Sequence, residues 1–90
     1  MRKIELDARN IQTVKAMHIY LQYRLDLPAY YGRNLDALFD LLSTESETTA
    51  ITLLGPAPAG SEMEAYMPRL TAVFEDCAQE NERIAFEMKA

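Results

Sequence analysis

No second cysteine accompanies Cys77, so an internal disulfide is excluded and a reducing cytoplasm is the expected setting. The opening MRKIELD has no apolar block of the signal-peptide kind, and no stretch approaches membrane-spanning length. A soluble, unexported protein is expected. GxGxxG, P-loop and GxSxG patterns are missing, which removes the common sequence marks of dinucleotide, phosphate and hydrolase chemistry. No repeat, low-complexity run or linker divides the 90 residues, so residues 1–90 are read as a single domain. With 49% apolar and 26% charged residues, that domain is globular rather than disordered.

Positive charge is absent where it would be most noticed. From Asn34 to Pro68 there is no Lys or Arg. Residues 1–33 balance at +3, residues 34–82 at −9 with Arg69 their one base, and the last eight residues at +1. Such a field repels nucleic acid and anionic membranes and steers basic proteins. Neither nucleic acid nor membrane is therefore expected as a direct partner. The plainer meaning of the acidity is solubility.

Arg2 to Leu6 alternates, with Ile4 and Leu6 on one face, and predicts a first strand. Asn10 is the expected cap of a first helix whose inward face carries Ile11, Val14, His18, Leu21 and Leu25, with Met17 at the edge. Pro28 to Arg33 is a loop in which Gly32 is expected to supply backbone freedom. Asn34 then caps a second helix with Leu35, Leu38 and Leu42 inward. Phe39 lies on the border of that stripe, with Asp36, Asp40 and Ser43 next around the helix. Thr48 to Leu54 is a second strand, and GPAPAG a loop. A third helix is expected from Glu62 to about Gln79, with Met63, Tyr66, Leu70, Val73, Phe74 and Cys77 inward and Asp76 and Glu80 flanking. Arg83 to Met88 closes as a third strand with Ile84, Phe86 and Met88 on one face. The order β-α-α-β-α-β implies an α/β fold, a small three-stranded parallel sheet packed with helices.

Catalysis finds little support in these residues. Cys77 and His18 both fall on apolar helix faces, where a structural role is the expected one. A metal site on Asp36 and Asp40 would require further ligands, and the single His belongs to another helix. Neither a metal nor a cofactor is expected. The acids are more telling as a surface. Like charges at i and i+4 cost a helix a few tenths of a kcal/mol, roughly, and Glu45 and Glu47 stand at the unfavourable end of the helix dipole. A solvated polar face is the ordinary reading. Acids, Tyr30, Tyr31 and Phe39 gathered in one short segment instead suggest a binding hot spot, although either tyrosine could pack in the core.

The segment LPAYYGRNLDALFDLL, residues 27–42, closely resembles the central motif LPxYYGxNLDALWD of the barstar family, intracellular inhibitors of barnase-type ribonucleases. Chain length, the His on the first helix, the element order and the acidic third helix extend the likeness over nearly the whole chain. The resemblance implies a barstar-like fold and a protein that binds a basic ribonuclease one-to-one, is a monomer when free, and is not an enzyme. It implies that the loop and second helix plug the enzyme's active site, with Asp40 at the phosphate position facing catalytic arginines and a histidine. A carboxylate would there replace a phosphate through charge-assisted hydrogen bonds. Tyr30 and Asp36 match further contact positions, and Asp76 and Glu80 match the acids at the end of the third helix. The expected partner-binding set is Tyr30, Tyr31, Gly32, Asn34, Asp36, Phe39, Asp40, Ser43, Asp76 and Glu80.

The sequence departs from the family pattern at four places. Phe39 stands for the usual Trp and cannot donate a hydrogen bond; Arg33 stands where an acid or neutral residue is common. Thr44-Glu45 replaces Gly-Trp after Ser43, and GPAPAG leaves little room for an extra short helix. These changes bear on the partner more than on the fold. An adaptor of the same fold that docks on another basic protein is the alternative reading, and a metal-dependent enzyme using the paired acids a remote third.

Overall fold

Three alternating stretches pair as parallel strands in a computed structural model that describes residues 1–90. They are β1 (Arg2–Asp7), β2 (Thr49–Leu54) and β3 (Ile84–Lys89), with β2 in the middle. Parallel neighbours need long crossovers. The first holds α1 (Val14–Arg24) and α2 (Leu35–Ser43), the second α3 (Glu62–Glu80). The expected order is the observed one.

Register aligns two rows on the helix-covered face, Ile4–Ile51–Phe86 and Leu6–Leu53–Met88, the second buried at Leu6 and Leu53 and open at Met88. The opposite face carries Lys3, Glu5, Ala50, Thr52, Ala85 and Glu87, none of them buried. The sheet is thus covered on one side only, unlike most parallel sheets, and its uncovered face and edges are kept polar by charge. Phe74 stacks on Phe86 at 5.1 Å between centroids, which ties α3 to β3. Leu21, Leu38, Leu42, Met63 and Leu70 complete a core in which each buried side chain contributes about 1.5–3 kcal/mol.

Several local expectations needed correction. The cap of α1 is Thr13, whose hydroxyl accepts from the Ala16 amide at 3.1 Å. At Asn10 the chain is still turning, because the Ile11 amide bonds the Ala8 carbonyl and Gln12 gives its carbonyl to Met63. With the helix starting later, Met17 moves from the edge to full burial beside His18 and Leu21, while Ile11 and Val14 are only partly covered. On α3 Met67 is buried, whereas Tyr66 and Val73 are half-buried. Met88, on edge strand β3, is 45% exposed; its sulfur accepts from the Thr71 hydroxyl at 3.6 Å, and its side chain lines an open pocket with Pro56, Ala57 and Met67. No helix occupies the GPAPAG segment between β2 and α3.

Candidate functional site

The turn after α1 is built from its backbone outward. Leu25 caps the helix, and Asp26 takes a left-handed conformation (φ 53°) that reverses the chain. The Tyr31 amide then bonds the Pro28 carbonyl at 3.0 Å. Gln22 brackets this turn from α1: its amide nitrogen donates to the Pro28 carbonyl at 2.9 Å, and its oxygen accepts from the Arg33 guanidinium at 3.1 Å. Nothing in the helical periodicity marks Gln22, since it lies off the apolar face.

Gly32 serves by its size. The left-handed backbone falls on Arg33 (φ 55°) instead. A Cβ at position 32 would meet the Asn34 side-chain nitrogen at 3.1 Å and the Ala37 methyl at 3.3 Å. That crowding arises because Asn34 works in both directions. Its nitrogen donates to the Gly32 carbonyl at 3.1 Å and its oxygen accepts from the Ala37 amide at 2.8 Å, capping α2. Loop and helix are therefore one hydrogen-bonded unit.

The tandem tyrosines divide. Tyr30 is 81% exposed and Tyr31 only 5%. The Tyr31 hydroxyl lies 2.6 Å from Nδ1 of buried His18, whose Nε2 lies 2.8 Å from the Tyr66 hydroxyl. Burial pushes the His18 imidazole below its ordinary value and the Tyr31 phenol well above its own. With both nitrogens engaged by hydroxyls, His18 is held as a core residue. It is not paired with Cys77, whose thiol points at the Phe39 carbonyl at 3.9 Å and is pushed up to about 11 by burial.

Asp36 and Asp40 are exposed on α2, with Phe39 and Ser43 half-buried between them and the core. Asp36 sits in the first turn, where the helix dipole favours it. Around Asp40 the backbone is fixed, its carbonyl accepting from the Thr44 hydroxyl at 2.8 Å and the Ser43 hydroxyl at 3.4 Å. Tyr30, Tyr31, Gly32, Ala37, Asp40 and Leu41 line a shallow open groove of about 190 Å³. Asp76 and Glu80 lie outside that groove, exposed on the adjoining α3. The two helices are joined by the Cys77–Phe39 contact and by Asn81, whose side chain donates to the Leu42 and Glu45 carbonyls at 3.0 and 2.9 Å.

None of these four acids has a basic partner. The ion pairs are Arg2–Glu45, Arg2–Glu47, Arg9–Asp7 and Lys89–Glu87. Arg2 thus offsets part of the charge of the two glutamates that follow α2, easing the unfavourable end charge noted above. It leaves Asp36 and Asp40 uncompensated in front.

In comparisons with known proteins, the family model described as Barstar (barnase inhibitor) matches residues 1–90. A protein of Bacillus subtilis (strain 168) named "Putative ribonuclease inhibitor YrdF" is 51% identical over 43 residues, covering 48% of this chain and 47% of that protein. The chain thus spans about half the length of this curated relative.

Proposed function

The chain belongs to the barstar family, and from that membership we propose that it is an inhibitor of a basic, barnase-like ribonuclease, acting by stoichiometric binding rather than turnover. One observation carries the reading: an exposed, unpaired Asp40 beside an exposed Tyr30, held on a loop and helix that are hydrogen-bonded into a single piece. A rigid carboxylate on an acidic face suits an active site built to hold phosphate between cationic groups. Asp36 extends the negative surface along α2, and Asp76 and Glu80 extend it onto α3. Phe39 and Ser43 brace α2 from its border, Gly32 and Asn34 shape the loop, and Tyr31 anchors the loop to His18. The buried lone thiol suits a reducing cytoplasm, where an inhibitor would protect the cell that makes the enzyme.

Titration of a basic ribonuclease with the purified protein tests this, with RNA cleavage as readout. Activity should vanish at one equivalent. Asp40→Ala should raise the dissociation constant by roughly 10- to 100-fold, the worth of a charge-assisted hydrogen bond. Glu47→Ala, remote and paired with Arg2, should change it little. Equal and negligible effects of the two substitutions would overturn the interface, and binding without inhibition would favour an adaptor.

A further inference from the structure

Resting on that reading, we propose that Tyr66 of α3 is a positioning residue for the recognition loop and acts on it through His18. The recognition loop contributes one buried side chain, Tyr31, next to the exposed Tyr30. The Tyr31 hydroxyl has a single side-chain partner, the imidazole of His18, and that imidazole is held in turn by Tyr66. Three separate elements therefore meet on one ring: α1 supplies it, the loop hangs from one nitrogen, and α3 fixes the other.

A neutral imidazole has one donor and one acceptor, and two hydroxyls can satisfy both whichever tautomer is present. Loss of the Tyr66 hydroxyl leaves one nitrogen of a buried ring without a partner, a situation buried polar groups avoid. The ring then has reason to turn, and Tyr31 turns with it. Tyr66 is itself steadied from outside, since the Arg69 guanidinium lies 5.4 Å from its ring centroid. A helix remote in sequence thereby sets how far the loop is organised before it meets a partner. Preorganisation of this kind appears in the lifetime of a complex more than in its rate of formation.

Tyr66→Phe tests the proposal, because it keeps the ring and its cation–π contact while deleting the hydroxyl. In the free protein, hydrogen exchange at the Tyr31 amide, which is bonded to the Pro28 carbonyl, should quicken severalfold while β2 amides hold their rates. Unchanged loop exchange would overturn the proposal. Against an inhibited basic ribonuclease, dissociation should quicken roughly three- to tenfold, the worth of one neutral hydrogen bond, with the association rate and one-to-one endpoint unchanged. A reduced endpoint at an unaltered dissociation rate would mean mere loss of folded protein and would also overturn it. Tyr31→Phe breaks the other arm, so the double substitution should cost less than the sum of the singles; additivity would refute a shared path through His18. Asp40→Ala separates the two readings. If it weakens binding and Tyr66→Phe does not, only the positioning role fails. If no ribonuclease is inhibited, the functional reading fails, and hydrogen exchange still decides whether Tyr66 orders the loop.

Discussion

His18 illustrates how a residue's neighbours decide its meaning. As a lone histidine it could have been a base or a ligand; held between two tyrosine hydroxyls it is a strut. Its protonation has a predictable cost. Burial lowers the folded pKa below the ordinary 6.5, so the unfolded chain takes up the proton first. Stability is therefore full above about pH 6.5 and falls as pH drops through that value, with a slope of at most about 1.4 kcal/mol per pH unit for one proton. Urea unfolding at pH 7.5 and 5.5 should show this loss, and His18→Gln should flatten it. A wild-type midpoint that rises toward pH 5.5 would contradict the assignment. At lower pH Asp7 adds to the loss. Its carboxyl, held at about 2 by Arg9, gives stability above its ordinary 3.8 that disappears as pH falls through the folded value.

At the scale of elements, α2 is short and owes its position to what lies at its ends. Nine residues are too few for a stable isolated helix, so the Asn34 cap in front and Arg2 with Glu45 and Glu47 behind matter more than propensity. Asn34→Ala should destabilise the protein by about 1 kcal/mol through the lost cap. Asn34→Asp keeps the cap oxygen but cannot donate to the Gly32 carbonyl, so it should retain most of that stability while loosening the loop. Denaturant midpoints together with loop hydrogen exchange distinguish the two; identical behaviour would mean the Gly32 bond contributes nothing. α3 is the longer brace. It continues through Pro68, which can give no amide to the Glu64 carbonyl, because Met67 and Leu70 on either side are buried against the sheet and neighbouring helices.

Across the whole molecule, charge and packing are segregated. The basic N-terminal third supplies Arg2 and Arg9 for internal pairing, while α2 and α3 present unpaired acids. Attraction to a basic partner should therefore be long-range and screened. Raising salt from about 0.05 to 0.5 M should slow association by roughly tenfold or more and change dissociation far less; a salt-independent association rate would argue against steering. Stability rests on the helix-covered side of the sheet. Phe74→Ala, which removes the fully buried ring stacked on Phe86, should cost about 3–5 kcal/mol in urea unfolding. Exposed Met88, on the same strand, should tolerate Ala with little change.

The element order, the inward faces of the strands and the acidic outer face of α2 are written in the sequence because periods of 2 and 3.6 are local properties. The Asn34 cap was legible for the same reason, being a short-range contact between neighbours. Tyr30 and Tyr31 were not: adjacent residues in a turn follow no period, and only the position of His18 buries one and exposes the other. Asn10 is the stronger cap by type, yet the backbone bonds of Ile11 and Gln12 gave the position to Thr13. Gln22 carried no signal of its own and Tyr66 only that of an inward position, since each acts on residues brought near by the crossover from α1 and by the packing of α3. Sequence alone determined which residues make the acidic surface of the loop and α2; tertiary packing decided how that surface is held, because the restraints on it come from α1 and α3.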